Sequence, residues 1–172
     1  MSDLPIEKRF GILCQISRAQ HFAWRQAVQE MCPDLDPEDA VNRMWEIVGK
    51  QTGDSYAKHL KEDQPLAMQI ASSVAWSSQC MGEDAVVEPG ADDSEAFVRH
   101  SACPWLDWHK KLGLEKEDQP GCDRWFEFSV NAINNKSGCD LRWETLESLP
   151  AGDSSCLRRF WVEKSSDNPD NA

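Results

Sequence analysis

Met81-Gly82-Glu83-Asp84-Ala85-Val86-Val87-Glu88-Pro89-Gly90 marks the point at which the chain changes its periodicity. Before it, apolar residues return every three or four positions, the signature of helices with one buried face. After Gly82 a short β-branched run, Val86-Val87, stops at a Pro-Gly turn signal, as a strand does. A helical half followed by a strand-bearing half implies an α+β fold: a helical N-terminal half packed on a small antiparallel sheet that carries short helices of its own. One domain is expected over residues 1–163, mainly helical over 1–82 and mixed over 83–163. The polar, Asn- and Asp-rich residues 164–172 read as a disordered tail.

Toward the N-terminus, Phe10, Leu13, Ile16, Phe22, Ala27, Val28 and Met31 place one apolar stripe on a helix over 6–31. Asp36 and Pro37 then supply an N-cap and a first helical residue, and Val41, Met44, Trp45 and Val48 form the buried stripe of a second helix; after a break at Gly53, Tyr56 to Leu60 either prolongs that helix or makes a short one. A third helix is expected over 65–81. Its small residues Ala67, Ala71, Ser72, Ser73 and Ala75 would admit another helix closely. Toward the C-terminus, strands are expected over 95–100, 139–146 and 155–162, the last two joined by a turn around Pro150-Ala-Gly-Asp153. Helices are expected from Pro104 to Lys111, closed by Gly113, and from Asp123 to Ile133.

Composition narrows the function. A formal net charge of −12 opposes binding to a nucleic-acid backbone or to an anionic membrane surface. No apolar run approaches the roughly 20 residues of a membrane span, and the N-terminus lacks a signal-peptide pattern, so a cytoplasmic protein is expected. Small molecules, metals or proteins remain as partners. Seven cysteines form an odd set without a secretory signal, which favours reduced thiols over a disulfide framework. Cys14, Cys32 and Cys80 read equally well as small core residues. Eight tryptophans against one tyrosine should line the core, a pocket or an oligomer contact, and Trp-rich helices with small-residue faces suit a homodimer.

The residue types that bind metals or act as nucleophiles concentrate in one series: His100, Cys103, Cys122, Cys139 and Cys156. As metal ligands, His100, Cys103, Cys122 and Cys156 would hold a divalent ion such as zinc, manganese or iron, although only His100-x2-Cys103 has the spacing of a chelating pair. As nucleophiles, Cys103 and Cys122 each precede an expected helix, where unpaired N–H groups stabilise a thiolate, and His100 stands within reach of Cys103 as a base. Asp123 is distinguished by its adjacency to Cys122. Packing beneath their helices is the structural alternative for both cysteines. His109 reads as exposed. Nothing resembles a dinucleotide or phosphate-binding glycine motif.

Taken together, Cys103-Pro-Trp-Leu-Asp-Trp-His-Lys-Lys-Leu-Gly113, Cys122-Asp-Arg-Trp-Phe126, Thr145-Leu146 and Gly152-Asp-Ser-Ser-Cys156-Leu-Arg-Arg-Phe160 resemble the L-2-amino-thiazoline-4-carboxylate hydrolase family over residues 95–161. The terminal hairpin with its Gly-Asp-x-x-Cys is also similar to the vinyl-reductase type of small-ligand-binding domain. The first resemblance implies hydrolysis of a C–N bond in a small cyclic, amidine-like substrate, with Cys103 and Cys122 as nucleophile or ligand, His100 as base or ligand, Asp123 as orienting carboxylate and Cys156 completing any metal cluster. The second implies a non-catalytic module that binds a small ligand or a metal. A purely structural protein with core cysteines is the third reading.

Overall fold

The computed structural model describes residues 4–163, and the tail expected over 164–172 lies outside the described residues. Three helices, α1 (Ile6–Met31), α2 (Pro37–Ala57) and α3 (Leu66–Cys80), precede strands β1 (Asp84–Pro89) and β2 (Glu95–Ala102). Helices α4 (Pro104–Leu112) and α5 (Glu115–Ser137) then lead to β3 (Leu141–Glu147) and β4 (Cys156–Val162). The fold is α+β, as the change of period at Gly82 implies. The four strands form one antiparallel sheet in the order β1-β2-β4-β3.

The small-residue face of α3 meets the sheet rather than another helix. Ala67, Ile70, Ala71, Val74 and Ala75 are buried, and the helix lies across β1, β2 and β4. Phe126, Val130 and Ile133 of α5 complete the core with Val98, Leu141 and Phe160 from the strands. Among the described residues no helix is long and apolar enough to cross a membrane.

The close helix pair is α2 with α5. Gly53 is a contact point there and not a break. A Cβ at Gly49 would stand 2.6 Å from the Trp125 carbonyl oxygen, and one at Gly53 would collide with the Ser129 carbonyl and approach the Ala132 Cβ to 2.9 Å. The Ser129 hydroxyl donates to the Gly49 carbonyl at 2.9 Å across the same seam. Helix α2 therefore continues through Gly53 to Ala57 because α5 occupies the space a side chain would need.

Helix α5 also departs from expectation. It starts at Glu115, eight residues before Asp123, and contains Pro120 and Gly121. Pro120 is the sixth residue of the helix and is exposed, so its missing N–H leaves only the Lys116 carbonyl without a helical donor, and water can serve that group. At Gly121 an added Cβ would approach Trp45 Cδ1 to 2.8 Å, so the glycine marks an indole contact. Cys122 accordingly lies inside a helix and not at its N-terminus. Cys139 precedes β3, held between Ser137 and Asn134.

Helix α1 has the expected bounds but, of the expected stripe, buries only Phe22. Its buried residues are Cys14, Arg18 and Phe22, whereas Phe10, Leu13, Ile16 and Met31 face solvent. Polar anchors fix this rotation: Arg18 Nη1 donates to the Met81 carbonyl at 2.7 Å, and Arg25 clamps Glu117 through Nε at 2.7 Å and Nη2 at 2.5 Å.

The α2–α5 seam makes the first prediction. Gly53→Ala should lower unfolding stability by about 3 kcal/mol through overpacking. Gly11→Ala, where nothing lies within 4 Å, should instead raise it by about 0.5–1 kcal/mol through helix propensity. Urea unfolding followed by circular dichroism reads both, and equal effects would sink the seam as a packing constraint.

Candidate functional site

Side chains alternate across a strand, and residues paired across two antiparallel strands share a face. The pairs Ala96↔Phe160, Val98↔Arg158 and His100↔Cys156 all point inward. The inner face of the sheet is thus apolar at one end and polar at the other, where Arg158 is only 1% exposed. The alternation of β4 carried this signal: Arg158 falls in phase with Phe160, on the core side.

Two local structures bring an acid to that end. The close of α3 is a Schellman motif, with Gly82 at φ +74°, its N–H bonded to the Gln79 carbonyl at 2.9 Å and the Glu83 N–H to the Ser78 carbonyl at 3.0 Å. Glu83 is thereby turned inward. Trp105 Nε1, from the first turn of α4, donates to Glu83 Oε1 at 3.0 Å. His100 Nε2 stands 3.0 Å from the Ser78 hydroxyl and 3.5 Å from Glu83 Oε2.

Burial governs the protonation of this cluster. Desolvation pushes the Glu83 carboxyl up to about 7, with the Trp105 hydrogen bond and the Arg18 charge acting the other way. It lowers His100 to about 4, helped by the charge of Arg158, so the imidazole is neutral at pH 7. The Cys122 thiol rises to about 12, again by desolvation, although Arg158 lies against it. Cys103, the N-cap of α4 as expected, is likewise driven well above the ordinary thiol range by burial, with the negative charge of Asp118 adding to the effect. Both cysteines are therefore neutral thiols. The helix-start stabilisation expected at Cys122 fails because α5 begins earlier, and at Cys103 burial outweighs it.

Around this centre, Arg158 Nη2 donates to Cys122 Sγ at 3.4 Å and Nη1 to the Glu147 carbonyl at 3.3 Å. Asp123 accepts from Gln119 Nε2 at 2.7 Å and Thr145 Oγ1 at 3.4 Å. Cys156 Sγ accepts from the Leu149 N–H at 3.3 Å. His109, expected to be exposed, is 4% exposed, with Nδ1 2.7 Å from Asp118 and 3.0 Å from the Trp105 carbonyl. His21, Phe22, Trp45 and Trp105 form a ring cluster beside the acid, with His21 5.3 Å from Trp45 and 5.4 Å from Trp105 between centroids.

The structure thus gathers His100, Cys103, Cys122 and Cys156 at one end of the sheet. Among the described residues no three His, Cys, Asp or Glu side chains are placed to hold an ion. The guanidinium of Arg158 bonds the thiol that a metal would claim. All seven cysteines are free, and Cys32 and Cys80 are exposed and do not pack in the core. Sequence reasoning missed Glu83, whose inward turn depends on the positive φ of Gly82, and Asp118 and Arg18, which no local pattern distinguished from surface charge. Two surface hollows, of about 410 Å³ beside Tyr56 and Met68 and about 320 Å³ beside Leu13 and Cys80, include none of the cluster residues.

Comparison with known proteins adds a family. The family model described as L-2-amino-thiazoline-4-carboxylic acid hydrolase matches residues 14–160 and so extends far beyond the C-terminal motifs. Trafficking protein particle complex subunit 3 from Naegleria fowleri, whose structure is covalently bound to palmitic acid, is similar in fold. It is 16% identical, with 86% of this chain and 95% of that chain covered and a TM-score of 0.54. The phenol-responsive sensory domain of the transcription activator PoxR, solved with phenol, is 12% identical over 84% of this chain and 73% of that chain, with a TM-score of 0.49. No curated protein matches the chain.

Two predictions follow from the electrostatics. Alkylation with iodoacetamide at pH 7, read by peptide mass spectrometry, should modify the exposed Cys32 and Cys80 well before the half-buried Cys103 and Cys122; the reverse order would contradict their being neutral thiols. Glu83 binds its proton more tightly in the fold than in the unfolded chain, so its stabilising contribution is complete below pH 4.5 and is lost as pH rises to about 7. His100, displaced downward, contributes above pH 6.5 and loses that contribution as pH falls toward about 4. Relative to the parent, Glu83→Gln should therefore gain stability steadily between pH 4.5 and 7, by roughly 3 kcal/mol in all, and no further above pH 7. A difference independent of pH would show that Glu83 is not perturbed.

Proposed function

The chain belongs to the L-2-amino-thiazoline-4-carboxylic acid hydrolase family, and from that premise we propose that it hydrolyses a C–N bond in a small cyclic, amidine-like substrate at the Glu83–His100 end of the sheet. The observation that carries this reading is a buried carboxyl displaced to about 7, fixed by Trp105 and adjacent to a neutral imidazole. A group with that pKa accepts and returns a proton near neutrality with similar ease, which is what general acid–base hydrolysis requires.

In this mechanism ionised Glu83 takes a proton from water as the oxygen adds to the amidine carbon. The protonated carboxyl delivers that proton to the ring nitrogen, and the carboxylate so regenerated takes the second proton from the adduct hydroxyl and passes it to the same nitrogen as the C–N bond breaks. The oxygen remains on carbon as a carbonyl and the nitrogen leaves as an amine, so one water is consumed and the carboxyl is regenerated. His100, neutral and hydrogen-bonded to Ser78, orients the water or relays its proton. Cys103 and Cys122 serve as neutral thiols lining the site and not as attacking thiolates, and Asp123 orients its neighbours Gln119 and Thr145.

The ring cluster of His21, Phe22, Trp45 and Trp105 favours a second reading, in which a planar ligand is bound beside the acid without being turned over. Incubation with 2-amino-thiazoline-4-carboxylate separates the two. Hydrolysis releases a primary amine, detected by NMR, with a kcat/KM profile that bends near pH 7. Glu83→Gln should lower kcat at least 100-fold and abolish that bend. Saturable binding with no amine released would support the binding module and end the hydrolase reading.

A further inference from the structure

The guanidinium of Arg158 is among the most deeply buried charged groups of the described chain, and it is poorly partnered. Its face rests 5.3 Å from the Phe126 ring, and Nη1 is held by the Glu147 carbonyl. The opposite edge, formed by Nε and Nη2, meets only the Cys122 thiol at 3.4 Å, and Nε has no partner. No carboxylate of the described residues lies within ion-pair distance: Asp123, which contributes to its field, is engaged by Gln119 and Thr145.

The same edge is used differently elsewhere in this chain. Arg25 presents Nε and Nη2 side-on to both oxygens of Glu117, at 2.7 and 2.5 Å. Arg99 does so with Glu88, at 2.6 and 3.3 Å. Two parallel N–H donors on a rigid plane match a carboxylate, and a buried cation without a counter-charge is costly unless an anion arrives.

We propose that the Nε/Nη2 edge of Arg158 is the receptor for a planar carboxylate on a small-molecule ligand, which displaces the Cys122 thiol on binding. The assignment rests on the reading of this end of the sheet as the substrate site, and it adds the anchor. Phe126 and the Glu147 carbonyl fix the plane of the guanidinium, so the carboxylate enters in one orientation. The rest of the ligand then lies toward His100, the cross-strand partner of Cys156. Arg158 is a binding and positioning residue in this scheme.

Calorimetry and thermal shift on the full chain test it with two probes, 2-amino-thiazoline-4-carboxylate and its 4-carboxamide. The carboxylate should bind at least tenfold more tightly than the carboxamide. Arg158→Lys, which keeps the charge but loses the fork, should weaken the carboxylate at least tenfold and leave the carboxamide unchanged. Cys122→Ala should preserve or tighten carboxylate binding. Equal affinity for the two probes, or no binding of either, overturns the proposal. Should Arg158→Lys not fold, the parent's preference between the probes decides alone. Tight carboxylate binding without turnover would leave the receptor standing while the hydrolase reading falls; equal turnover of both probes would do the reverse.

Discussion

The approach of α2 to α5 is the contact on which the remaining arrangement rests. Gly49 and Gly53 remove the side chains that would hold the helices apart, and the Ser129 hydroxyl closes the seam. With α5 fixed at that distance, Phe126, Val130 and Ile133 reach the sheet and Cys122 comes down on Arg158.

Desolvation is the common cause of the shifts at this end of the sheet, and it acts in opposite senses on acids and bases. Glu83 is raised and His100 lowered, so near neutral pH both tend toward their uncharged forms. Arg158 and Arg18 cannot respond in that way, because a guanidinium keeps its charge in any protein environment. The interior therefore holds fixed cations beside groups with adjustable charge. Asp118, paired with His109, supplies negative potential from the side and raises the thiols further.

Much of this was legible in the chain. The helix over 6–31, the Asp36 cap and the strand-bearing second half follow from spacing and turn chemistry, and Asp36 Oδ1 accepts from the Glu38 N–H at 2.9 Å as its place before Pro37 implies. The His100-to-Cys156 series was found in sequence because Cys and His are rare. Glu83 was not, because one acid among thirty acquires meaning only from the turn that buries it. The start of α5 at Glu115 lay outside the expected helix for a related reason. Pro and Gly signal a loop locally, but near the start of a long helix a proline costs one hydrogen bond, and the glycine was needed by Trp45. The rotation of α1 was hidden as well, since its polar anchors lie on elements distant in sequence.

The inner face of β2 and β4 divides labour along its length. Ala96, Val98 and Phe160 hold the layers together, while Arg158, paired with Val98, and His100 and Cys156, the next inward pair, make up the polar end. Because a strand repeats every two residues, the apolar and polar inward side chains lie toward opposite ends of this face and meet at the Val98–Arg158 pair. Descendants of such a chain can exchange the polar end and keep the apolar end, which lets one scaffold diverge in what it recognises without relearning how to fold.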